Sequence, residues 1–196
     1  MTQELFLSLI GFAFATSVTP GPNNMMLLAS GVNFGFRRTV PHMLGISIGH
    51  ALMVFLVGIG LVQIFHHWPA LTTALKVVSV GYMLWLAWKI AHAAAPRDGQ
   101  PGGVPFSFLQ AAAFQWVNPK AWAMALTAVT VYAGGEGVLA MLTVAVVFCA
   151  VNLPSVSVWA YAGQQVRHWL TTNRRLQVFN CSMAVLLVAS LWPVLA

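Results

Sequence analysis

Apolar residues fall in six long blocks, at about 5–31, 40–64, 69–93, 106–133, 138–165 and 174–195, with short polar stretches between them. A helix needs about 20 mostly apolar residues to cross a bilayer, so the pattern predicts six transmembrane helices. The predicted connections are 33–38, 65–68, 94–105, 134–137 and 167–173. The first block is read as a retained span. Glu4 stands where a cleavable signal would carry basic residues, and no small-residue cleavage site follows.

Prolines interrupt two of these blocks. The first break reads Thr19-Pro20-Gly21-Pro22-Asn23-Asn24 and the second Asn118-Pro119-Lys120. Pro22 and Pro119 are 97 residues apart in a chain of 196, so the breaks occupy matching places in the two halves. Matched, interrupted hydrophobic segments point to a transporter whose binding site is built from broken helices. Irregular backbone at membrane depth is tolerated only where protein or a watery cavity surrounds it. Residues 95–105, rich in Pro and Gly, form a linker at the midpoint between a first unit (1–94) and a second (106–196). Three spans cross the membrane an odd number of times, so the second unit enters from the opposite face. The expected fold is an all-α integral membrane protein, with six transmembrane helices in two inverted three-helix repeats and with the first and fourth helices broken.

Composition removes the soluble alternatives. Hydrophobic residues make up 59% of the chain, charged residues 6%, and mean hydropathy is +0.80. Soluble domains carry about 25% charged residues. A net charge of +6 would point to nucleic acid in a soluble protein, but here the basic residues sit between apolar blocks and no nucleic-acid partner is expected. Seven of the nine lie around the first, third and fifth connections (Arg37, Arg38, Lys89, Arg97, Arg167, Arg174 and Arg175). The excess of Lys and Arg on cytoplasmic loops makes that side cytoplasmic and both termini periplasmic. Cys149 and Cys181 lie inside apolar blocks and read as packing residues.

The breaks carry the candidate chemistry. Asn118 is a favoured N-cap and Pro119 a favoured first helical residue. Gly21 and Pro22 fit the same roles for a half-helix through Asn23 and Asn24. Each half-helix start exposes unpaired N–H groups and a partial positive charge, which suits a carboxylate. Lys120 lies about 13 residues from either end of its block. A charge at that depth costs about 2.5–3.5 kcal/mol, so it must face protein or a cavity. Lys76, near a block end, is read as snorkelling.

No carboxylate falls within a block core, since Glu4, Asp98 and Glu136 all lie at ends or connections. A strongly cationic substrate would lack a counter-charge, and a proton relay would lack its usual acid. His50 is the remaining coupling candidate, because imidazole titrates near neutrality; packing is the competing role. His42 is eight residues away, too far along a helix to share a metal ion unaided, and neither a metal site nor a cofactor is expected. Asn152, beside Pro154 in the fifth block, either lines the cavity or caps groups freed by the proline, with capping preferred. Gly45-Ile46-Ser47-Ile48-Gly49 spells the GxSxG of a serine hydrolase, but without the strand–turn–helix setting that chemistry needs. Its Gly45/Gly49 spacing suits close helix packing instead. Trp68, Trp169 and Trp192 fit an interfacial belt, and Trp116 and Trp122 flank the second break.

These residues resemble the LysE/RhtB family of amino-acid exporters. The resemblance is carried by Thr19-Pro20-Gly21-Pro22-Asn23-Asn24, Gly31-x3-Gly35-Phe36-Arg37, Gly45-x3-Gly49 and Gln115-Trp116-Val117-Asn118-Pro119-Lys120, and spans essentially the whole chain. Within the family it is most similar to bacterial exporters of cysteine and O-acetylserine or other small neutral amino acids. The resemblance implies a multi-pass protein of the bacterial inner membrane, driven by the proton motive force, with Pro20, Pro22, Asn23, Asn24, Asn118, Pro119 and Lys120 as the broken-helix residues. Together with the missing carboxylate, it implies a small zwitterionic substrate rather than lysine or arginine. Small-residue faces also allow a homodimer. The competing readings are a cation or metal exporter, an intramembrane hydrolase using Ser47, and a non-transporting structural protein.

Overall fold

The computed structural model describes residues 1–93, 104–133 and 137–192. Most of the predicted linker, with Arg97 and Asp98, lies outside the described residues, as does Glu136. The described residues form helices and the short connections between them, with no strand among them. The α-helices are α1 (Gln3–Val18), α2 (Pro22–Phe34), α3 (Phe36–Leu56), α4 (Val62–His67), α5 (Pro69–Ala91), α6 (Phe108–Phe114), α7 (Pro119–Ala128), α8 (Val138–Arg167) and α9 (Asn173–Ala189). A π-turn at Val57–Leu61 joins α3 to α4, and a 3-10 turn at Gln115–Val117 follows α6. Polar caps start several helices. Thr2 and Thr172 accept first-turn N–H groups of α1 and α9, and Ser107 with Gln110 forms a reciprocal capping box at α6.

Three stretches, Phe36–Leu61, Ala70–Ala91 and Val138–Arg167, are long and apolar enough to cross a membrane. The pair α1–α2, bent by 55° at its break, counts as a fourth when its two halves are taken as one span. The α6–α7 unit is divided into shorter pieces, and α9 has 17 residues. Several predicted boundaries shift. The expected connection 33–38 shrinks to Gly35, whose φ of 79° turns the chain between α2 and α3 where a side chain would be strained. The expected connection 65–68 shrinks to Trp68. Pro154 does not interrupt its helix: α8 runs through it, packed between α2 and α3. A proline removes one N–H, and flanking helices can hold such a segment together.

Helix α8 sits at the centre, against α1, α2 and α3; α6 packs on α3, and α5 on α9. Glycines set the closest approaches. A Cβ at Gly31 would strike the Ala160 carbonyl, and one at Gly163 would strike the Leu28 carbonyl, so α2 and α8 meet backbone to backbone. Gly45 and Gly49 do the same for α3 on α6, where a Cβ at Gly49 would lie 2.6 Å from Ala112 Cα. Without a hydrophobic driving force between helices in lipid, such contacts are what hold them together. The GxxxG spacing of α3 is therefore spent inside the molecule.

Candidate functional site

The two breaks meet in space. Helix α1 ends at Val18, and its last carbonyls have no partners within the helix. Three side chains supply them. Asn24 Nδ2 donates to Ser17 O (2.9 Å) and Thr19 O (2.7 Å), and Trp159 Nε1 donates to Val18 O (3.1 Å). Lys120 Nζ arrives from the second break and donates to Thr19 O (2.7 Å), Thr19 Oγ1 (2.9 Å) and Pro20 O (3.3 Å). A cation at the negative end of a helix is favourable, and its hydrogen bonds are of the charge-assisted kind.

The two half-helix starts differ. Helix α7 opens as expected, with Asn118 as N-cap and Pro119 as first residue, and Asn118 Oδ1 accepts from Lys120 N (3.1 Å). Helix α2 opens on extended Gly21 and Pro22, with no side chain capping it. The first-turn N–H groups of α2 are thus left for whatever enters beside them. The Lys120 stem also fills the space over Gly21, where a Cβ would stand 2.7 Å from Lys120 Cδ.

A cavity of about 20 Å³ lies against these ends. That is room for one water molecule. Gly21, Asn23, Asn24, His50, Asn118, Lys120 and Asn152 all border it, so the structure gathers these sequence-predicted residues in one place. Pro20, Pro22 and Pro119 are not in its wall. Pro20 is exposed beside Lys120, and the other two start their half-helices, so the prolines shape backbone rather than the cavity surface. Asn152 is not a cap for the Pro154 region, as preferred above. Its Oδ1 accepts from Ser47 Oγ and its Nδ2 donates to Ser17 Oγ, both at 3.0 Å, tying α8 to α3 and α1.

Three polar wall residues were missed as candidates, Thr16, Ser17 and Gln115. Gln115 is wholly buried and exchanges hydrogen bonds with Asn23: Asn23 Nδ2 donates to Gln115 Oε1 (2.8 Å) and Gln115 Nε2 to Asn23 Oδ1 (3.2 Å). An amide within an apolar block, three residues before Asn118, was the available signal. The His50 ring is buried against Phe148, with centroids 5.3 Å apart, and neither ring nitrogen has a hydrogen-bond partner. Ser47 is engaged by Asn152, and His50 has no bond to it, so Ser47 and His50 do not form a hydroxyl–imidazole pair for hydrolysis. Trp116 and Trp122 pack on each other outside the cavity, with Trp122 Nε1 donating to Trp116 O (2.8 Å). Among the described residues, no group of His, Cys, Asp and Glu could hold a metal ion.

Comparison with known proteins places these features in context. The pattern of the LysE type translocator family matches residues 14–190. A cysteine/O-acetylserine efflux protein of Klebsiella pneumoniae is 29% identical over 192 residues, covering 96% of this chain and 95% of that protein. One of Escherichia coli strain K12 is 29% identical over 193 residues, 96% of each. Another, of Escherichia coli O139:H28, is 33% identical over 135 residues, 67% of each. No solved structure matches the chain.

Proposed function

The chain belongs to the LysE type translocator family, and on that premise we propose that it is a secondary exporter of small neutral amino acids or their derivatives across a bacterial inner membrane. It is a transporter, not an enzyme. The substrate class follows from the named function of its relatives, cysteine and O-acetylserine efflux, and from a cavity wall that offers amides, hydroxyls and one ammonium but no carboxylate.

The observation that carries the reading is Lys120, which bridges the two breaks beside an uncapped half-helix. In the proposed bound state the substrate carboxylate meets the first-turn N–H groups of α2 and the Lys120 ammonium. The substrate ammonium meets the oxygens of Asn23, Gln115, Asn152 and Ser17. A cavity with room for one water is too small for an amino acid, so binding requires the halves to part. A carboxylate that draws Lys120 from Thr19 and Pro20 makes that parting depend on the substrate. A ligand shifts a conformational equilibrium only through such differential contacts.

Alternating access would come from the inverted arrangement. Part of the helix packing supports it: exchanging the first-half spans for the second-half spans carries the α1–α8 contact onto α6–α3 and returns α3–α8 and α5–α9 to themselves, while the most extensive crossing, α2 on α8, has only a slight counterpart in α7 on α3. The distribution of Lys and Arg supports periplasmic termini.

The test is a counterflow assay in proteoliposomes with a panel of labelled amino acids. Cysteine and O-acetylserine should exchange, and lysine and arginine should not. Exchange of none of them, or of the cationic pair alone, would overturn the reading. Proton coupling is assigned to His50, whose unpartnered ring borders the cavity. A pH gradient, acidic on the periplasmic side, should speed wild-type efflux several-fold. His50→Gln should keep gradient-free exchange and lose that response; a full response in this variant would refute the role.

A further inference from the structure

A second cavity, of about 410 Å³, lies between α2, α3 and α5, beyond the site toward the face that carries Arg37, Arg38 and Lys89. It is much larger than the space at the breaks, and α2 stands between the two: Asn23 and Asn24 border the smaller, Met26, Ala29 and Asn33 the larger. Its wall is mostly apolar, with Met26, Leu86 and Ile90 contributing.

Five polar side chains line it; Ser30 and His92 are already hydrogen-bonded, to Thr39 Oγ1 and Trp88 O, and three have bonding capacity left over. His42 is 1% exposed, and neither of its ring nitrogens has a hydrogen-bond partner. Asn33 is 8% exposed; its Nδ2 donates to Ala29 O and Asn180 Oδ1, but its own Oδ1 accepts nothing. Lys89 supplies a cation, poised over the Trp85 and Phe106 rings at 5.3 and 5.6 Å. Buried polar atoms without partners cost about 1–3 kcal/mol each, so three such atoms around one hollow need an explanation that a packing role does not give.

We propose that this vestibule is a second binding site, for a zwitterionic amino acid with a branched or aromatic side chain. Lys89 takes the carboxylate. The ammonium donates to Asn33 Oδ1 and to the accepting nitrogen of a neutral His42. The side chain lies against Met26, Leu86 and Ile90. A simple fatty acid satisfies Lys89 and the apolar wall, but brings no donor for the two orphaned acceptors. The assignment depends on the export reading only for its place along the path; binding is measurable without transport.

The experiment is equilibrium binding of labelled L-leucine to the purified chain in nanodiscs, with melting temperature followed for each variant. Saturable leucine binding is expected in the wild type. In Lys120→Ala it should persist within about twofold, because Lys120 borders only the smaller cavity. It should weaken at least fivefold in Lys89→Met and in His42→Phe. The His42→Phe protein should melt no lower than wild type, because it deletes only unpartnered nitrogens from an apolar setting. Leucine binding lost in Lys120→Ala and kept in Lys89→Met would mean a single central site. Displacement by decanoate as effective as by unlabelled leucine would mean a fatty-acid site, and a melting temperature that falls in step with binding in His42→Phe would mean a structural histidine. Each overturns the proposal, as does no saturable binding to folded protein. Failure of cysteine exchange with leucine binding intact would overturn the export reading alone.

Discussion

Replacing Lys120 with alanine is expected to lower specific export at least tenfold while the protein still inserts and folds. The Lys120 ammonium holds Thr19 O, Thr19 Oγ1 and Pro20 O. Hydrogen bonds to a charged group contribute about 1.5–3 kcal/mol, and loss of about 2 kcal/mol from the substrate-bound state corresponds to roughly thirtyfold in binding. The stability loss should be smaller, because Asn24 also bonds Thr19 O and keeps the end of α1 partly satisfied. Lys120→Met separates the charge from the packing, since it keeps most of the stem that fills the space above Gly21. Efflux from loaded vesicles, normalised to membrane protein and compared with melting temperature, is the deciding measurement. Wild-type efflux in either variant would remove Lys120 from the site. A fall in efflux that tracks a fall in folded protein would make Lys120 a helix cap and nothing more.

The largest structural effect is expected at the crossing of α2 and α8. Gly31→Val should abolish folded protein, and Gly31→Ala should lower the melting temperature markedly. The Cβ of either residue would run into the Ala160 carbonyl, which is backbone and cannot rotate aside. The helices would have to separate, losing the buried contacts of Leu27, Val156 and Ala160 around them. Overpacking a tight core costs about 1–3 kcal/mol and more where backbone must move. Gly163→Ala should behave alike, since its Cβ meets the Leu28 carbonyl from the other side. Gly21→Ala is the contrast: its Cβ meets the flexible stem of Lys120, which can shift. That variant should fold normally and change transport instead. Size-exclusion profiles and thermal melts of the four proteins in detergent check this, and a monodisperse, stable Gly31→Val protein would contradict the backbone-contact account.

Much of this protein was legible along the chain. Long apolar blocks almost free of charge pointed to membrane helices, because a continuous apolar run of about 20 residues satisfies its own backbone in lipid as a helix, whereas barrel strands are shorter and alternate. Pro22 and Pro119 marked the two half-helix starts, and Asn118 announced its own capping role, because those preferences are local and depend on a few neighbouring residues. The depth of Lys120 within its block said that it must face protein or a cavity.

The identity of its partners was not local. Lys120 meets Thr19 across 101 residues, Asn23 meets Gln115 across 92, and Asn152 meets Ser17 across 135. Those pairings exist because Gly31, Gly45, Gly49 and Gly163 let helix backbones touch at particular crossings. A sequence lists which helices can form, but a spacing pattern does not say which face of one meets which face of another. For the same reason Asn152 was expected to cap a proline that the packed helix simply absorbs, and Gln115 was named in a motif but given no place in the site. The sequence singled out His50 and gave His42 no role of its own; the folded protein buries both, His50 at the narrow site and His42 at the wide vestibule. Local preference decided what each segment became, and long-range packing decided which groups it would serve.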